Sequence, residues 1–175
     1  MDKRNISNKS SFMARGGIYI ALSIIILYST TFFPFNTILL MGIASAIIPL
    51  TIITTDLKTS VIVYVAVSLL SYFLLPLKSV WLCYLMFFGI FGFIKYYIEG
   101  FSLMKLEIFL KLLFFNIVMF LYYYIYKLLF APETTLPPKF ALIIIVYQFL
   151  FLIYDYSLTI FITYVDNNFI NKIKK

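Results

Sequence analysis

Histidine is absent from this chain, and cysteine occurs once, at Cys83. Without imidazole and with a single thiol, the chain cannot assemble the usual donor set of a zinc, copper, nickel or haem centre. Histidine-based acid, base or nucleophilic catalysis is excluded with it. No intrachain disulfide is possible, and Cys83 lies inside an apolar run, where it reads as a small packing hydrophobe. A GxxxxGK[ST] loop is also missing, so the chain does not hydrolyse ATP by that route. Charge is scarce as well: 12% of residues are charged and only seven are acidic. Most of those seven lie in tails or between apolar runs, which argues against a lipid-modifying membrane enzyme built on Asp56, Glu99, Glu107 and Asp155. No catalytic residue, no metal and no cofactor is expected.

What the chain does have is apolar side chains. Of 175 residues, 63% are hydrophobic, and the mean hydropathy is +1.02, outside the range of soluble domains of this size. Six apolar runs cover residues 16–33, 36–54, 59–75, 79–94, 103–130 and 140–164. Each is long enough, at roughly 16 to 28 residues, to cross a ~30 Å hydrocarbon layer as a helix. The runs are continuous and do not alternate, so a β-barrel is disfavoured. The first run is too long for the core of a signal peptide and precedes no small-residue cleavage site. The sequence therefore predicts an all-α integral membrane protein, a bundle of six transmembrane helices. Residues 1–15 form a basic N-terminal tail, 16–165 the membrane domain, and 166–175 a basic C-terminal tail.

Lysine and arginine gather in alternate gaps. Lys3, Arg4, Lys9 and Arg15 precede the first run; Lys58 follows the second; Lys95 and Lys105 follow the fourth; Lys172, Lys174 and Lys175 end the chain. The remaining gaps hold only Lys78 and Lys139. By the positive-inside rule both termini are cytoplasmic and the loops around Pro34, Pro76 and Pro137 face outward, in a cell membrane. The net charge of +7 is then explained by anionic lipid at the inner leaflet, with no nucleic acid needed. Phe32, Phe33, Phe35 and Trp81 at the outer boundary, with Tyr96, Tyr97 and Tyr164 at the inner one, suit that orientation.

Polar groups inside the runs carry what chemistry is available. Asn116, Tyr123 and Lys127 are seven and four residues apart, which stacks them on one face of the fifth helix. Gln148, Asp155, Thr159 and Thr163 do the same on the sixth. A turn at 131–139 folds these helices antiparallel, so Tyr123, Lys127, Tyr147 and Gln148 share the outer half as a candidate substrate pocket, with Asn116 below. Two bland roles compete: Lys127 snorkelling to the surface, and Asn116 and Gln148 bridging helices. Lys111 and Asp155 lie within about one turn of the same depth and are candidates for a buried pair, which a carboxylate at mid-span requires. Small residues mark a further surface: Gly17 and Ala21 on the first helix, beside Gly16, and Gly42 with Ala46 on the second. Pro49 predicts a kink in the second helix.

Six helices with both ends inside, and a basic tail entering a first helix with a small-xxx-small pair (Arg15, Gly17, Ala21), resemble the substrate-binding S components of energy-coupling factor transporters. The segment from Ile18 to Pro76, with its short proline turn, Pro49 and the stretch VSLLSYFLLP, is similar in style. The family's AxxxA motif has Gly17 in place of one alanine here. The resemblance implies an outward pocket for a vitamin or similar micronutrient, closed by the first outer loop. It also implies docking through Gly17 and Ala21 on a transmembrane coupling subunit with two cytoplasmic ATPases. Members that handle nickel or cobalt use an N-terminal histidine, which is lacking. An aromatic pocket with Lys127 would suit a flat ring bearing an anionic group. The rival expectation is a structural or scaffold subunit of a membrane complex with no small-molecule ligand.

Overall fold

The computed structural model describes residues 3–100, 104–129 and 140–170. The turn at 131–139 and the lysines 172, 174 and 175 lie outside these residues, as do the side chains of Lys3, Arg4 and Lys9. The described chain is helical throughout, with α1 (Lys3–Ser29), α2 (Thr37–Thr54), α3 (Leu57–Leu74), α4 (Lys78–Ile98), α5 (Met104–Leu129) and α6 (Phe140–Val165). All six are long and apolar enough to cross a membrane. Three boundaries differ from the sequence reading. Helix α1 begins inside the basic tail, and α4 runs past residue 94, which takes Lys95 into the helix. Helix α6 runs on through a π turn, Asp166–Ile170, into the expected C-terminal tail.

Successive helices alternate between two poles. At the ion-rich pole the Arg15 guanidinium donates to the Thr54 carbonyl (3.0 Å), and the Tyr19 and Thr54 hydroxyls bond at 2.9 Å. These groups take up part of the carbonyl end that α2 leaves open. Asp56 then caps α3 by accepting from the Thr59 N–H at 3.0 Å. Hydrogen bonding from Thr59 holds the Asp56 carboxyl below its usual value. At the opposite, proline pole, a 3-10 turn at Pro34–Asn36 joins α1 to α2. There Lys78 donates to the carbonyls of Tyr72 and Leu75 and lies over the Tyr72 ring, so a cation neutralises the carbonyl end of α3.

Helices α1 to α4 form a body held by close fit. A Cβ on Gly16 would lie 3.2 Å from the Thr59 methyl, and one on Gly92 would lie 2.8 Å from the Pro49 ring and 2.9 Å from Ile48. Glycine at these two places lets α1 approach α3, and α4 approach α2. Helix α2 continues through Pro49 without a break. The buried centre joins Leu27, Ala44, Ile48, Val63, Val67 and Tyr84. Within α4, residues Tyr84–Phe88 form a π turn, which adds a residue to the turn and misaligns the backbone ladder. The Tyr64 hydroxyl reaches into it and donates to the Leu85 carbonyl at 2.8 Å.

Helices α5 and α6 make a second unit beside the body. An aromatic cluster joins the two units: Phe87 and Phe91 of α4 meet Phe115 of α5 and Phe151 of α6. Phe115 and Phe151 stack at 4.6 Å with their planes 12° apart.

Candidate functional site

Two features stand out: an ion network toward one pole and a cleft that reaches the other. The network begins with Lys95, which α4 carries one turn from its end. Its ammonium is fully buried and donates to Glu99 (2.5 Å), to Asp155 (2.7 Å) and to the Thr159 hydroxyl (2.7 Å). Lys111 of α5 is 2% exposed. Its ammonium bonds Glu107 at 2.7 Å, Asp155 at 2.9 Å and Glu99 at 3.1 Å. The two oxygens of Asp155 thus divide between two lysines from two other helices. Desolvating an ammonium costs several kcal/mol unless charged hydrogen bonds replace water, and here each lysine has three such partners or their equivalent.

Lys111 and Asp155 therefore meet directly. Lys95, read from sequence as a loop cation marking the cytoplasmic side, is instead a buried member of the same network, together with Glu99 and Glu107. Two i,i+4 pairs, Lys95 with Glu99 and Glu107 with Lys111, were the available signal for it.

The cleft has a volume of about 1120 Å³ and lies between the body and the α5–α6 pair. Its wall is mostly apolar, with Met41, Phe87, Phe88, Phe115 and Phe151 among its linings. Its polar groups fall at two levels, and the innermost lining, Ile47, Leu50, Leu158 and Phe161, is apolar. Asn36, Thr37, Ser79, Tyr122 and Tyr147 stand near the proline pole, and Tyr154 and Ser157 lie deeper. The Tyr154 and Ser45 hydroxyls bond each other, and the Tyr154 ring lies against Gly42, 3.4 Å from where a Cβ would be. Gly42 thus makes room for the cleft's deep end, and Ala46, one turn on, packs near the aromatic cluster. Among the described residues no charged side chain lines the cleft.

Of the residues proposed for a substrate pocket, Tyr147 lines this cleft, while Asn116, Tyr123, Lys127 and Gln148 do not. Gln148 donates to the Asn116 side chain at 3.1 Å and ties α6 to α5. Tyr123 meets the Tyr124 ring edge-on at 5.9 Å. Lys127 stands half-buried in the last turn of α5. On α1, Gly17 has open space where a Cβ would be, and Ala21 is exposed; Gly16 is the residue turned into the body. Sequence reading assigned no pocket role to the cleft wall on α2 and α4, where Gly42, Ala46 and Cys83 read as packing residues, nor to Tyr122.

No protein-family model, no curated protein and no solved structure matches this chain.

Proposed function

We propose that this chain is a membrane-embedded capture subunit for a small organic micronutrient. The observation that carries the reading is the cleft, about 1120 Å³ between the body and the α5–α6 pair and reaching to the short turn between α1 and α2. A volume of that order suits a drug-sized organic molecule, and a mainly apolar wall with a few polar groups is the usual form of such a site. The resemblance to S components of energy-coupling factor transporters supplies the rest. In this reading both termini are cytoplasmic, the proline pole faces outward, and the cleft fills from outside the cell. The exposed face at Gly17 and Ala21 meets a transmembrane coupling subunit, which two cytoplasmic ATPases drive. The basic tails rest on anionic lipid. The subunit performs no chemistry on its cargo.

Co-purification tests this directly. The affinity-tagged chain, expressed in its own host and extracted in mild detergent, is expected to carry a small molecule visible by mass spectrometry. It should also bring down a membrane subunit and ATPases, and Gly17→Trp should release those proteins while leaving the small molecule in place. A chain that holds protein partners but never a small molecule would instead establish a scaffold role.

A further inference from the structure

We infer that the molecule captured in the cleft is uncharged and elongated, with two polar groups about 10 to 15 Å apart joined by an apolar stretch; this rests on the capture reading above. Length comes first. On α6, Tyr147 and Ser157 both face the cleft and are ten residues apart, about 15 Å along the axis at 1.5 Å per residue. On α2, Thr37 and Ala46 span about 14 Å by the same measure. Polar linings stand at both ends of that interval, with Phe87, Phe88, Phe115 and Phe151 between. Beyond it the cleft continues along Ile47 and Leu50 of α2 and Leu158 and Phe161 of α6 as an apolar floor.

Charge comes second. A buried carboxylate or ammonium needs an opposite charge or several hydrogen bonds in place of water. Among the described residues the cleft wall offers no charged group. The charges nearest its deep end are also committed: Asp155, next to Tyr154 on α6, is bonded to both Lys95 and Lys111. Lys127, the cation that would have suited an anionic ring, does not line the cleft.

Hydrogen-bonding capacity then sets the two ends. Near the proline pole, the Asn36 amide and the Tyr147 phenol can both donate and accept. Thr37 already donates to the Pro34 carbonyl at 2.9 Å, which leaves its oxygen to accept. At the deep end Ser157 likewise donates to the Ile153 carbonyl at 2.8 Å and presents lone pairs. The deep end therefore suits a hydroxyl or N–H donor, and the outer end a carbonyl, amide or hydroxyl.

Three probes with one aromatic body and different charge separate these outcomes: pyrenebutanol, pyrenebutyrate and pyrenebutylamine, each added to the full chain in lipid nanodiscs. Energy transfer from the single tryptophan, Trp81, reads binding. Protection of Cys83, which lines the cleft, against a maleimide reports occupancy independently of partition into lipid. Pyrenebutanol is expected to bind saturably, roughly 100-fold tighter per mole of lipid than either ion given the desolvation of an unpaired charge. It should also protect Cys83, and Ile43→Phe, which fills part of the cleft, should abolish both signals. If pyrenebutyrate or pyrenebutylamine binds as tightly as the alcohol and Ile43→Phe weakens it, the charge inference is overturned while capture stands. If no probe binds saturably and none protects Cys83, both are overturned.

Discussion

The body of α1 to α4 and the pair α5–α6 solve the same packing problem by different means. In the body, backbones approach where side chains are missing: Gly16 admits Thr59, and Gly92 admits Pro49 and Ile48. Polar groups there mostly serve their own helix ends, as Asp56, Arg15 and Lys78 do. The α5–α6 pair meets the body at one described glycine, Gly42, where the Tyr154 ring seats. It is joined by stacked phenylalanines at mid-depth and by Lys95, Lys111 and Asp155 nearer the ion-rich pole. At the proline pole its described contact with the body is a long one, from the Tyr122 hydroxyl to the Ser79 carbonyl at 3.5 Å. Shape complementarity demands one arrangement, whereas a pair fixed firmly at one level leaves space at another. The cleft is that space.

Removing a shared charge should break the comparison most sharply. Asp155→Ala would strip the carboxylate that two buried ammoniums share and leave them to Glu99 and Glu107, a loss of up to about 3 to 5 kcal/mol. Trp81 fluorescence during thermal unfolding in detergent is expected to show a large drop in midpoint; an unchanged midpoint would mean that charge does not hold the pair. In the body, Gly92→Ala forces a methyl group against Pro49 and should cost about 1 to 3 kcal/mol. Labelling of Cys83 should distinguish the two variants: Asp155→Ala is expected to open the cleft and accelerate labelling before unfolding, while Gly92→Ala shifts the midpoint alone. The smallest effect should come from Gln148→Leu. That substitution removes an exposed bridge to Asn116, worth about 0.6 kcal/mol, so its midpoint should lie near that of the unaltered chain.

Six helices were legible because hydropathy over some twenty residues averages away local detail. Depth arithmetic was also informative: it put Lys111 and Asp155 at one level, and the structure has them 2.9 Å apart. Lys95 was misplaced because a lysine beside Tyr96 and Tyr97 at the end of an apolar run has the appearance of an interfacial anchor. The i,i+4 spacing to Glu99 was the local hint; the partner that buries it, Asp155, lies sixty residues away. The face shared by Asn116, Tyr123 and Lys127 follows from helical spacing, but spacing does not say toward which neighbour a face turns. That depends on how the α5–α6 pair sits against α2, and on the π turn at Tyr84–Phe88. One extra residue in a turn rotates everything beyond it by about 100° relative to a regular helix, and no hydropathy pattern records it.

Lys95 also sets an order of events. Its i,i+4 partner Glu99 emerges with it, but Asp155 and Thr159 arrive sixty and sixty-four residues later, about 3 to 13 seconds at ordinary rates of synthesis. In the membrane reading proposed above, a helix with an incompletely compensated cation stands in or beside the bilayer for that interval. The last helix is therefore the clasp of the assembly, and a nascent chain halted before Asp155 should leave α4 at the interface, open to water-borne reagents.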